Sequence, residues 1–164
     1  MLNKKIIIYI FIFLLIISFN TVNTIAVTES EKEIAEVRNF IYDVYYNYQY
    51  NNYEFVYNSM HFEIKEVLKK EDYIKFQTKN TEKINLKISE VKVINVKFID
   101  KWPEEFKDII TDKDNHKLYE IEIEYMTQYE NNGKKQEKLI NKKTYITRYD
   151  KSNYLLWDPE IINN

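Results

Sequence analysis

Residues 119–129 read Tyr119-Glu120-Ile121-Glu122-Ile123-Glu124-Tyr125-Met126-Thr127-Gln128-Tyr129. Large apolar side chains and Thr127 take the odd positions, while Glu120, Glu122, Glu124, Met126 and Gln128 take the even ones. Successive side chains of a strand point to opposite faces, so this period of two predicts a β-strand with one buried and one largely solvated face. Asn131-Asn132-Gly133 follows as a hairpin turn signal. Lys134 to Tyr149 reads as the returning strand, polar at first and better patterned from Lys142 on. Asp150-Lys151-Ser152-Asn153 makes a second turn, and Tyr154 to Trp157 a last strand ended by Asp158-Pro159.

Upstream, Leu86 and Ile88 lie on even positions, Val91 and Val93 on odd ones, and Ile94, Val96 and Phe98 on even ones again. Each phase change needs an extra residue, so this stretch predicts one long strand with two bulges. Trp102-Pro103 stops it. Pro103 to Ile110 is expected to form a short helix, and Thr111 to His116 a polar loop.

Before residue 86 the period becomes 3.6. Ile34, Val37, Ile41, Val44 and Tyr48 recur at steps of three and four, with Phe40 and Tyr45 beside them, which predicts an amphipathic helix of about five turns. Ser30-Glu31-Lys32-Glu33 reads as its capping box. Tyr53 to Leu68 is a second helical region, broken near His61-Phe62, and Lys70 to about Asn80 a third. Helices first and meandering strands after give an α+β fold: about three N-terminal helices covering one face of a curved antiparallel sheet, in a single domain over residues 29–162.

The first residues have another purpose. Lys4 and Lys5 precede an apolar run from Ile6 to Phe19, and Asn20 to Ala26 is polar and small. That is the order of a secretory signal peptide over residues 1–26, with a cut expected after Ala26. The run is short for a membrane span, so an uncleaved anchor over residues 6–19 is the alternative. Localisation is therefore expected to be secreted or extracytoplasmic, with membrane contact only through this segment. The fold is expected to begin at Ser30, a few residues past the cut.

All 26 acidic residues lie after Ala26, and two of the 24 Lys and Arg lie before it, so the exported part carries a net −4. That charge gives no electrostatic reason to expect nucleic acid. With no Cys there is no disulfide, thiolate metal site or thiol nucleophile. The single Gly, Gly133, rules out a Gly-rich phosphate loop. The abundance of Lys, Asn, Ile and Tyr matches an AT-rich genome, and with the signal it suggests a low-G+C Gram-positive bacterium. His61 and His116 are 55 positions apart, and their spacing suggests neither a metal site nor a Ser–His pair. His116 reads as solvated in a charged loop. No cofactor is expected.

A long first helix, shorter helices and a bulged sheet resemble the NTF2-like superfamily. Tyr154-Leu155-Leu156-Trp157-Asp158-Pro159-Glu160-Ile161-Ile162 resembles the closing W-K-x-x-W-x-P-S-x-I segment of the NTF2-like domain that precedes the transpeptidase in MecA-type penicillin-binding proteins. Asn52-Tyr53-Glu54-Phe55-Val56-Tyr57 is similar to the D-Y-E-x-A-Y segment after their first helix, and Lys70-Glu71-Asp72-Tyr73-Ile74 to the S-x-E-E-F start of their third. Asn153 stands where that pattern has a Trp, and Glu160 where it has Ser. Acyl transfer belongs to domains outside the resemblance and is not implied. What the resemblance implies is an NTF2-like cone in an extracytoplasmic setting.

Three functions follow as expectations. The first is a non-catalytic binding or scaffold domain at the bacterial cell envelope, with an envelope protein or cell-wall component as partner. The second is a small-ligand-binding cone, its cavity lined by Phe40, Val44, Tyr119, Ile121, Ile123 and Tyr125. The third is a ketosteroid-isomerase-type enzyme, which needs a carboxylate in an apolar pocket with a Tyr beside it. Asp43, between Ile41 and Val44, is the candidate acid or base. Trp157, Asp158 and Pro159 read as a structural motif, with Trp157 closing the open end of the core.

Overall fold

The computed structural model describes residues 29–163; the expected signal peptide lies outside them. Among the described residues four α-helices precede four strands: α1 Glu29–Gln49, α2 Tyr53–Asn58, α3 Phe62–Val67, α4 Lys70–Ile84, β1 Lys87–Ile99, β2 Lys117–Asn131, β3 Lys134–Tyr149 and β4 Ser152–Leu156. The strands form one open antiparallel sheet in the order β1-β2-β3-β4. The fold is α+β, and the second helical region splits into two short helices where a break was expected. Among the described residues no helix is long and apolar enough to cross a membrane.

The alternating stretch is the middle of β2. Tyr119, Ile121, Ile123, Tyr125 and Thr127 are buried and carry the core. Val37, Ile41, Val44 and Tyr45 of α1 are buried with them. The expected bulges are present, as register shifts between Ser89 and Lys92 and between Val93 and Asn95. Glu90 takes a left-handed φ of 52° at the first. Beside the second, α1 satisfies the backbone of Val93 from both sides: Arg38 Nη1 donates to its carbonyl at 3.0 Å, and its N–H donates to Tyr42 Oη at 3.2 Å. The shifts decide which residues face inward. Ile88, Val93 and Val96 are buried, and Ile94, at the second shift, is exposed. Phe98 pairs with Tyr119 on the inward face, ring centres 6.0 Å apart, yet stays half-exposed near the end of the strand.

Both hairpins are two-residue turns. Asn132 and Gly133 have φ of 51° and 72°, and Asp150 and Lys151 have 45° and 65°. Two successive positive φ values match the right-handed twist of the flanking strands. The expected capping box is not formed. Ser30 lies inside α1, and Glu33 accepts instead from Lys117 Nζ at 2.7 Å and Tyr119 Oη at 3.1 Å. Arg148 Nη2 reaches Glu36 at 2.6 Å. These bonds tie the first turns of α1 to β2 and β3. The Lys117 hydrogen bond holds the Glu33 carboxyl below the usual range. Burial and the adjacent Glu33 push the Tyr119 hydroxyl up to about 12.

The sheet is covered on more than its helical face. Strand alternation puts Leu118, Thr147 and Leu156 on the opposite face, yet all three are buried. The 99–117 connection supplies Phe106 and Ile110, both buried, and the Phe106 ring lies 6.1 Å from that of Tyr145. The free edge of β4 is closed by the α2–α3 connection, where Leu155 N–H donates to Ser59 at 2.8 Å and His61 N–H to Leu155 at 3.0 Å. This bridge covers part of an edge that would otherwise present free backbone groups. The Glu row is half-buried rather than freely solvated, and two of its three members are ion-paired. Glu120 meets Lys143 at 2.9 Å and Glu124 meets Lys92 at 3.5 Å.

Candidate functional site

A cavity of about 150 Å³ lies between the helices and the sheet. The helical period brings Val44, Tyr45 and Tyr48 of α1 to its wall, and Tyr73 and Gln77, one turn apart, come from α4. Val56 and Leu155 add apolar surface, and Ile88 and Tyr125 close the sheet side. The Trp157 indole stands edge-on to Tyr73 with ring centres 5.1 Å apart. Lys142 is exposed and borders the cavity, its ammonium 5.8 Å from the centre of the Tyr45 ring.

The polar groups are few and most are already committed. Tyr48 Oη donates to Gln77 Oε1 at 2.6 Å. Thr127 Oγ1 donates to the Lys138 carbonyl at 2.9 Å. Tyr73 is different. Its side chain is fully buried, and its hydroxyl has no hydrogen bond of good geometry, although the Gln77 side chain lies close enough to interact with it. The nearby amide carbonyl accepts from Tyr48. Burial raises the Tyr73, Tyr45 and Tyr48 hydroxyls well above the phenol range, so all three stay protonated near neutrality. The lining contains no Asp, Glu or His. It can therefore hold a ligand and donate hydrogen bonds, but it offers no carboxylate or imidazole to move a proton.

Of the expected lining, the structure places Val44 and Tyr125 at this cavity. Ile121 and Ile123 are packed solid in the core, and Phe40 is half-buried against it. Tyr119 faces Glu33 instead. Asp43 does not approach the core: it is exposed on α1, and its backbone carbonyl accepts from Asn47 Nδ2. Trp157 is half-buried at the cavity wall, and Pro159 opens a short 3-10 turn. Tyr73 and Gln77 were not singled out in the sequence. Their i and i+4 spacing on one helix face was a signal, but nothing in it distinguished a cavity from ordinary packing.

The two histidines also meet. His61 Nε2 and His116 Nε2 are 2.9 Å apart. His61 is fully buried, and His116 is half-buried and stacked on Tyr149 at 4.6 Å. The solvated His116 expected from its charged loop is thus a packing partner, brought in when the connection folds back on β3. Among the described residues no cluster of three or more His, Asp or Glu could hold a metal ion.

Fold and cavity define a class, an α+β domain with an open antiparallel sheet and a small aromatic-walled pocket on its helical side. Compared with known proteins, the chain matches no family model, no curated protein and no solved structure.

Proposed function

We propose that this chain is an exported, non-catalytic binding domain of NTF2-like type, acting at the bacterial cell envelope, whose cavity takes a small flat ligand. The observation that carries the reading is a cavity of about 150 Å³ whose wall includes Tyr73, a residue with a buried hydroxyl that makes no hydrogen bond of good geometry. A buried hydroxyl without a partner costs free energy, and a ligand acceptor placed against it would recover that cost. Benzene-sized molecules fill cavities of about this volume. The aromatic walls suit a ring, and Lys142 at the border suits an anionic group on it. A small aromatic acid with one further polar atom meets all three features. The NTF2-like assignment draws support from the order of a long helix, shorter helices and a bulged antiparallel sheet, and the envelope setting from the N-terminal segment. The isomerase-type alternative needs a carboxylate that this lining lacks.

A second reading, docking of an envelope protein or cell-wall component, is favoured by Tyr46 and Tyr50. They are 61% and 64% exposed, with ring centres 4.8 Å apart. The test between them uses benzene, phenol and 4-hydroxybenzoate as probes on the protein in its exported form. The cavity reading expects phenol and 4-hydroxybenzoate to shift the Trp157 indole and Val56 methyl resonances at millimolar concentration, and to bind more tightly than benzene. Cavity resonances unmoved by all three would refute it.

A further inference from the structure

His61 and His116 are held so that the position of every ring proton can be assigned. His61 Nδ1 accepts the Glu63 backbone N–H at 3.3 Å, which caps α3, so its proton sits on Nε2. His116 Nδ1 faces the Asp112 carbonyl, which can only accept, so Nδ1 carries the proton there and Nε2 has the lone pair. The contact between the rings is then a His61 Nε2–H donated to His116 Nε2 at 2.9 Å. One chain of three bonds joins α3 to the 112–116 loop, and it requires both rings to be neutral.

We propose that this pair is an acid-released latch, which fastens the 112–116 loop to α3 when both histidines are neutral and lets it go when either is protonated. A proton added to His116 Nε2 would face the proton on His61 Nε2. A proton added to His61 Nδ1 would face the Glu63 N–H and break the cap. The groups around the pair do little to shelter a charge. Phe62 packs on His61 at 4.1 Å, Tyr154 edge-on at 5.5 Å, and Trp102 edge-on to His116 at 6.2 Å. The Glu63 carboxylate, 3.8 Å from His61 Nδ1 and bonded to the Thr111 N–H at 3.1 Å and to its hydroxyl, favours a charge there, but less than burial and His116 oppose it. Lys65 opposes a charge on His61. The Asp112 carboxylate is occupied by Asn115, and Lys113 Nζ by the Lys107 carbonyl. Lys117 turns away to Glu33. Burial, and then His116, hold His61 well below the usual imidazole range, at about 4. On the proposed export, such a pair would meet whatever pH the surroundings impose.

The latch also reaches the cavity. His61 N–H is bonded to the Leu155 carbonyl, and Leu155 lines the cavity wall. The experiment is ring-nitrogen NMR on the exported protein labelled in histidine, followed by amide exchange of residues 112–116, corrected for intrinsic rate, between pH 7.5 and 4.5. Expected at pH 7.5 are His61 protonated on Nε2, His116 on Nδ1, and a scalar coupling between the two Nε2 atoms. Loop protection should then fall by on the order of tenfold to a hundredfold at pH 4.5. In His116→Phe, which keeps a ring against Tyr149 but cannot titrate, loop protection should lose most of this pH dependence. Opposite tautomers, no coupling, or wild-type loop protection that is independent of pH would each overturn the proposal. The wild-type measurements decide it even where the variant fails to fold, and no ligand is needed.

Discussion

Replacing Tyr73 with Phe should make the protein more stable, which is the reverse of what most substitutions at fully buried positions do. Tyr73 is 0% exposed and its hydroxyl makes no hydrogen bond of good geometry. The ring makes the contacts that matter, edge-on to Trp157 at 5.1 Å and 6.0 Å from Tyr57, and Phe keeps both. Leaving a buried polar group unsatisfied costs about 1–3 kcal/mol. Deleting one oxygen adds roughly 10 Å³ to the cavity, which at about 24 cal/mol per Å³ costs only ~0.2 kcal/mol. The balance is a gain of about 1 kcal/mol, or roughly 3–5 °C in Tm for a domain of this size. Thermal and urea unfolding followed by circular dichroism measure it, and an unchanged m-value would show that the folded state itself gained. The same variant should lose most of its preference for phenol over benzene, because the group that reads the ligand oxygen is gone. A loss of 0.5 kcal/mol or more in Tyr73→Phe would refute the reasoning, since it would mean that the hydroxyl is satisfied in solution.

Other expectations follow from the same structure. Trp157→Ala should cost about 2–3 kcal/mol in urea unfolding, less than a fully buried Trp, because the indole is half-buried yet packs on Tyr73 and Phe76. Lys142→Glu should weaken 4-hydroxybenzoate binding several-fold in NMR titration while leaving phenol binding and Tm nearly unchanged, since this side chain is exposed. Lys151→Gly should stabilise by about 1 kcal/mol, because Lys151 is exposed and held at a φ of 65° that a side chain resists. Stability should fall in two acid steps in a pH series of melts. His61 titrates lower in the folded state, so its contribution is lost as pH drops from about 6.5 toward about 4. Glu33 is also lowered, so its contribution is present above the ordinary carboxylate value and disappears as pH falls through the lower folded one. Glu33→Gln should flatten that second step alone.

Much of the architecture was legible because it rests on short-range rules. The alternation across Tyr119–Tyr129 marked β2, two phase changes marked the bulges of β1, and Asn132-Gly133 marked a hairpin. Other features were misread for identifiable reasons. Ser30 looked like a cap because the local pattern fits one, but Glu33 finds Lys117, 84 positions away, a better partner. Ile94 looked buried because phase alone does not say at which residue a bulge falls, whereas Phe98 does face Tyr119 but lies near the strand's end, half-exposed. Asp43 sat between two core positions in the sequence, and the 100° step of a helix turns it outward.

The sequence by itself determined the order of helices and strands and the core face of β2. These depend on hydrophobic period and turn chemistry, which act over a few residues. Only the tertiary structure decided that Tyr73 is buried in the cavity wall, that Lys142 borders the same cavity, and that two histidines 55 positions apart bring their Nε2 atoms to 2.9 Å. Those facts depend on how elements distant in the chain pack against each other, and side-chain spacing along the chain does not encode the distances between them.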